Sequence, residues 1–185
     1  MIALCVGHSR QGDCGALSVN GTSEYDYNTG LADLIEEHTQ QEVRIYSSYE
    51  GNSYTSAMRR LAKRLRRDNA EAAIELHFNA ASPSATGHEW LYWYSSEMGR
   101  LMARALRDSM EDAFPQLTSR GVKARGKGSR GAMFLRTTHC PAVIAEPFFG
   151  TNPDDWELAL KHKEGLAHAI AGGLFLYKEL ASRWE

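Results

Sequence analysis

The sequence predicts an α/β domain in which one central, mostly parallel, twisted sheet carries helices on both faces. Three short apolar runs, Ile2–Val6, Ala72–Leu76 and Pro141–Ala145, have the length and β-favouring composition of buried strands. Between them lie stretches whose apolar residues recur at helical spacing, and strands that alternate with amphipathic helices build a sheet covered by those helices. A chain of 185 residues has the length of one ordinary domain, so residues 1–185 are read as a single domain.

In chain order, Ile2–Val6 passes into a glycine-rich loop over residues 9–22, and Ser23 is placed to cap a helix that carries Tyr27, Leu31, Leu34 and Ile35 on one face. Glu42–Ser47 predicts a second strand, followed by a polar loop to Ser53. A helix from Thr55 to Arg67 turns Met58, Leu61, Ala62 and Leu65 inward, and Arg59, Arg60, Lys63, Arg64, Arg66 and Arg67 outward. Glu89–Tyr94 reads as an aromatic strand, and Ser95 or Ser96 caps a helix with Met98, Leu101, Met102, Ala105 and Leu106 on its inner face. Thr118–Gly131 is expected to be loop, and Ala132–Leu135 a short strand. Asn152-Pro153 has the form of an N-cap followed by proline at the first helical position, with Asp154 and Asp155 where the helix dipole favours acids. One last helix is expected to follow this cap and to bury Leu166, Ile170, Gly173, Leu174 and Tyr177.

Composition excludes several classes. A formal net charge of -2 argues against bulk attraction to nucleic acid or anionic membrane. The outward cations of the Thr55–Arg67 helix read as a solvated face, and neither they nor Arg120, Lys123, Arg125, Lys127 and Arg130 come with a nucleic-acid-binding motif. The longest apolar stretch, Leu166–Tyr177, is interrupted by His168 and two glycines and falls short of the roughly 20 residues a membrane span needs. The amino terminus enters its first strand without a basic and apolar leader, so the chain is expected to be made in the cytoplasm without a signal peptide. Cys5, Cys14 and Cys140 are odd in number and lack CxxC spacing; Cys5 and Cys140 read as buried reduced thiols.

The chemistry concentrates at strand ends. Ile2–Val6 runs into Gly7-His8, Ala72–Leu76 into His77, and Pro141–Ala145 into Glu146, while Glu24 stands in the first turn of the first helix. In open α/β sheets, ligands bind outside the carboxyl ends of the strands, so parallel pairing would bring two imidazoles and a carboxylate to one cleft. Two histidines and one glutamate make a zinc site with an open position, and a further glutamate would be free to act as base. Spacing alone leaves open which glutamate takes which part. Phe78-Asn79 adds a polar side chain at the same rim.

These positions also carry a family resemblance. Val6-Gly7-His8-Ser9 with Gly15-Ala16 and Ser23-Glu24, then Glu75-Leu76-His77-Phe78-Asn79-Ala80, Arg120-Gly121-Val122-Lys123, and Ala145-Glu146-Pro147-Phe148-Phe149-Gly150-Thr151-Asn152 resemble, in order and spacing, the motifs of zinc-dependent N-acetylmuramoyl-L-alanine amidases of the amidase-3 type. The resemblance covers nearly the whole chain. It implies that His8, Glu24 and His77 hold one Zn2+ per chain and that Glu146 is the catalytic carboxylate. Two motifs depart from the family's usual form: Cys5-Val6-Gly7-His8 stands where Asp-x-Gly-His is common, and Glu75-Leu76-His77 where Ser-x-His is common. Glu75 shares a strand face with His77, so it either accepts a hydrogen bond from that imidazole or pairs with an arginine in the sheet.

The implied reaction is hydrolysis of the amide between N-acetylmuramic acid and L-alanine in peptidoglycan. Asn79 and Arg120 are candidates for holding substrate, Arg120 alternatively for a structural ion pair. Without wall-binding repeats, the resemblance favours a compact phage endolysin, made in the cytoplasm and released to the wall in the periplasm at lysis. The competing readings are a zinc peptidase cutting within the stem peptide, and a non-catalytic wall-binding module on the same fold.

Overall fold

The computed structural model describes residues 1–47, 51, 53–129 and 131–183. The elements run β1 (Ile2–Val6), α1 (Glu24–His38), β2 (Val43–Tyr46), α2 (Tyr54–Arg67), β3 (Ala72–Leu76), β4 (His88–Trp93), α3 (Glu97–Ala113), β5 (Ser119–Arg125), α4 (Ala132–Thr137), β6 (Ala142–Glu146), α5 (Pro153–Lys161) and α6 (Lys163–Ala181). Most of the polar loop expected before Ser53 lies outside the described residues, as does Arg130.

The six strands form one sheet in the order β2-β1-β3-β6-β4-β5. Pairing is parallel from β2 through β6 and again between β4 and β5; only β4 and β6 run antiparallel. The sheet is therefore mostly parallel, as the apolar runs predict, with β1, β3 and β6 adjacent and their carboxyl ends on one edge.

Alternating side chains on these strands enter two cores. Leu4, Val6, Ile74, Leu76, Trp90, Val143 and Ala145 pack against α1, α3, α5 and α6. Ala3, Cys5, Ala73, Leu91 and Ile144 pack against α2 and α4. Helices thus cover both faces, which explains why β1 and β3 are apolar almost throughout instead of alternating.

The helix caps match their sequence signals. Ser23 Oγ accepts from Asp26 N, Ser96 Oγ from Gly99 N, and Asn152 Oδ1 from Asp154 N and Asp155 N. On α2, Met58, Leu61 and Leu65 are buried and the cations are exposed. All five residues expected on the inner face of the last helix are buried in α6.

Three expectations are corrected. Residues Thr118–Gly131 are not all loop, because Ser119–Arg125 form β5 at the sheet edge. An edge strand pairs on one side only and keeps charged residues, so it lacks the apolar run that marked the central strands. Ala132–Leu135 is helix α4, not strand; a four-residue apolar run has no period of its own to choose between the two. The final helical segment is two helices, broken at His162, whose φ of -121° and ψ of 34° leave the helical region.

Candidate metal centre

Gly7 follows β1 beside the end of β3, with Gly7 N donating to Leu76 O at 3.0 Å. A Cβ on Gly7 would fall 2.5 Å from His77 Nε2, so only glycine leaves room for that imidazole. His8 then adopts a left-handed φ of 67°, rare for a residue with a side chain, and backbone strain of this kind concentrates at functional sites. Gly15 does the same service on the other side: at φ +80°, its missing Cβ would meet Glu24 Oε2 at 2.7 Å and His8 Cδ2 at 2.7 Å.

Glu24, buried in the first turn of α1, lies between the two imidazoles. Its Oε1 is 2.7 Å from His77 Nδ1 and its Oε2 is 3.3 Å from His8 Nε2. Backbone donors fix the carboxylate: Phe78 N donates to Oε1 at 3.2 Å and Ala16 N to Oε2 at 3.0 Å. One ligating atom from each of His8, Glu24 and His77 falls within 4.8 Å of the others, a group able to hold a metal ion. Two imidazoles and one carboxylate are a donor set that zinc takes in catalytic sites.

The ring nitrogens facing away from Glu24 also have partners. His77 Nε2 is 3.2 Å from Glu75 Oε2, and His8 Nδ1 is 3.2 Å from Asp13 Oδ1. Glu75 is buried on the His77 face of β3, so of its two expected partners the structure brings it to the imidazole. Each candidate ligand histidine therefore has a carboxylate behind it, the arrangement that fixes tautomer and ring orientation in metal sites. Burial works to lower the His77 pKa, but the hydrogen bonds to Glu24 and Glu75 outweigh it and raise it well above 6.5. His8 is raised in the same way, and Glu24 is held far below the usual carboxylate range because its two imidazole hydrogen bonds outweigh burial.

Glu146 ends β6 on the same sheet face as His77 and Glu75. Its Oε2 is sealed from solvent with no hydrogen-bond partner among the described residues, and burial pushes its carboxyl up to about 8. A carboxyl in this state is able to change protonation near neutrality. Asn79 lies two residues past His77, where its backbone bonds tie β3 to the segment after β6: Asn79 N donates to Phe148 O at 2.8 Å and Asn79 O accepts from Gly150 N at 2.9 Å. Arg120 makes an ion pair, Nε to Glu89 Oε2 at 2.9 Å, with its guanidinium 5.0 Å from the centroid of Phe149.

Three residues near the site had no such part in the sequence reading. Asp13 sits in a loop where an acid is ordinary. Glu89, buried directly across from Glu146 in the β4–β6 register, looked like any residue at the start of an aromatic strand. Asp155 fits the expected helix-dipole position, yet it is also a buried acceptor for Thr86 Oγ1, Gly87 N and Phe149 N at 2.5, 3.0 and 2.9 Å. It ties the loop entering β4 to the loop leaving β6. Its partners Thr86 and Gly87 lie 69 and 68 residues away in sequence, so no local signal reveals them.

An α/β sheet carrying this histidine–carboxylate centre at the carboxyl ends of its parallel strands defines a candidate metal-dependent protein. The N-acetylmuramoyl-L-alanine amidase model Amidase_3 matches residues 2–175, and the chain belongs to that family. It is 26% identical over 159 residues to the probable cell wall amidase LytH of Staphylococcus aureus, covering 83% of this chain and 50% of that protein. The chain thus spans about half the length of the curated relatives it matches. It superposes on the CwlD amidase from Clostridioides difficile, solved in complex with the GerS lipoprotein, with a TM-score of 0.84 at 20% identity, covering 97% of this chain and 98% of that one. It superposes on the catalytic domain of the CD27L endolysin targeting Clostridia difficile with a TM-score of 0.77 at 28% identity, covering 94% and 96%. Among the described residues, no helix is long and apolar enough to cross a membrane.

Proposed function

We propose that residues 1–185 form a catalytic domain that hydrolyses the amide between N-acetylmuramic acid and L-alanine in peptidoglycan, using one zinc ion held by His8, Glu24 and His77. The observation that carries this reading is the meeting of those three side chains in a chain of the amidase family, with Glu146 on the same sheet face. When bound, zinc would supply a Lewis acid that polarises the scissile carbonyl and lowers the pKa of water towards about 7.

The remaining work falls to side chains. Glu146 takes the proton of the attacking water and returns it to the departing L-alanine nitrogen. Burial raises its carboxyl in the metal-free protein, and a cation held by His8, Glu24 and His77 would act in the opposite sense, favouring the ionised form that accepts the proton. Asp13 and Glu75 keep the outward nitrogens of His8 and His77 occupied, which would leave the opposite nitrogens, those beside Glu24, to hold the ion. Asn79 and Arg120, at the rim, are assigned to holding substrate.

The likeness to an endolysin catalytic domain supports a role as a phage lysin, synthesised in the cytoplasm and acting on the wall in the periplasm after holin-type release. Mass spectrometry of digested sacculi tests the bond assignment. An amidase releases the whole stem peptide and leaves muramic acid bare. Muramic acid that keeps its alanine would point to a peptidase instead.

A further inference from the structure

The cations of β5 have no part in the proton and metal chemistry, yet they gather beside it. Glu89 Oε2 accepts from Arg120 Nε at 2.9 Å and from Lys123 Nζ at 2.6 Å, and a terminal nitrogen of Arg125 lies 3.7 Å from Glu89 Oε1. Among the described residues, Glu89 is the only carboxylate paired with these three side chains. Three cations around one anion leave two positive charges in surplus. Glu89 is buried, whereas the side chains of Arg120, Lys123 and Arg125 remain 38%, 32% and 28% exposed, so the surplus faces solvent. One arginine would neutralise the charge of a buried carboxylate. Drawing Lys123 and Arg125 back along the strand to it instead concentrates positive potential at one end of the sheet.

That end is the one bearing Glu146. Glu89 and Glu146 are paired in register across antiparallel strands, so their Cα atoms are about 4.5–5.5 Å apart and their side chains share a face. One extended peptide residue spans about 3.3–3.6 Å. A substrate with its scissile amide at Glu146 and its leaving peptide running towards β5 would bring the next one or two residues of that peptide to the cation cluster. Arg120 is already oriented there by its stacking on Phe149. Carboxylates are the anions that arginine and lysine bind with charge-assisted hydrogen bonds.

We propose that Arg120, Lys123 and Arg125, organised by Glu89, form a subsite for a free carboxylate on the stem peptide one or two residues beyond the L-alanine, and so discriminate free from amidated peptides. The proposal rests on the amidase reading for the identity of the peptide. Its test uses zinc-loaded protein and two peptides that begin with L-alanine and differ only in whether the α-carboxyl of the second residue is free or amidated.

Calorimetry should show the free form bound about tenfold or more tightly. Lys123→Gln should bring the two affinities to within about twofold, and Lys123→Arg, which keeps the charge, should retain the preference. Equal affinities in the parent protein, or a preference that survives Lys123→Gln, would overturn the subsite. Peptide release from sacculi, measured in parallel, separates the two ideas. A protein that prefers the free carboxylate but cuts no muramoyl amide keeps the subsite and loses the amidase reading; one that cuts but binds both peptides equally does the reverse.

Discussion

Gly7 and His77 stand side by side at the ends of adjacent parallel strands, and the imidazole occupies the space where a side chain on Gly7 would lie. Gly7→Ala should therefore displace the ring without touching any candidate ligand. Zinc affinity should fall by at least about tenfold, the scale on which groups behind the ligands act. Competition against a chelator of known affinity measures it; unchanged affinity would mean that the ring has room to shift.

Glu75 makes a separable prediction. Glu75→Gln keeps the size of the side chain but removes the charge that faces His77 Nε2, and should weaken zinc binding by about 10–100-fold while leaving the fold intact. Glu75→Ser, the residue usual in the resembling motif, should also weaken it. If zinc binds equally well to both variants, Glu75 is only a buried acid.

Metal removal should expose a pH dependence of stability set by the site's own side chains. In the metal-free protein, His8 and His77 are raised above 6.5 by their carboxylate hydrogen bonds, which outweigh burial. A raised folded pKa gives stability that is present below the unfolded value and lost as pH rises through the folded value. Glu146, raised by burial to about 8 from 4.5, acts in the same direction over its own range. Glu24, depressed, contributes in the opposite sense only in acid. Chelated protein should thus melt at progressively lower temperature from pH 6.5 upward. The stabilisation added by zinc should grow over the same range, because fewer protons compete for the imidazoles. Thermal melts with and without chelator check both trends.

Asp155→Ala should be severely destabilising, since it leaves three donors from two loops without their buried acceptor. A loss of about 3 kcal/mol or more is expected, which for a chain of this size lowers the melting temperature by about 6–12 °C. A drop of only a degree or two would show that water replaces the carboxylate.

Much of this architecture is legible in the sequence, and the exceptions have physical causes. β1, β3 and β6 announce themselves because strands covered on both faces must be apolar on both faces, and the residues that end them, His8, His77 and Glu146, stand out for the same reason. β5 is hidden because an edge strand tolerates Arg120, Lys123 and Arg125. α4 is misread because Ala132–Leu135 is too short to show a period. Glu24 is different again: a glutamate in the first turn of a helix is commonplace, and only the resemblance distinguishes it from Glu146 as the candidate ligand. The partner of Glu75 needed coordinates, since one strand face offers several neighbours.

The assignment of the two glutamates is the centre of the account, and zinc content measured together with activity tests it most directly. Glu146→Gln should keep zinc and fold while slowing release of peptide from sacculi by about 10²–10⁴-fold, the usual scale of general acid–base catalysis. Glu24→Gln should lose zinc as well as activity, because a neutral amide oxygen is a poorer donor to the cation than a carboxylate. A zinc-depleted Glu146→Gln beside a zinc-loaded, inactive Glu24→Gln would contradict the account and exchange the roles of the two residues.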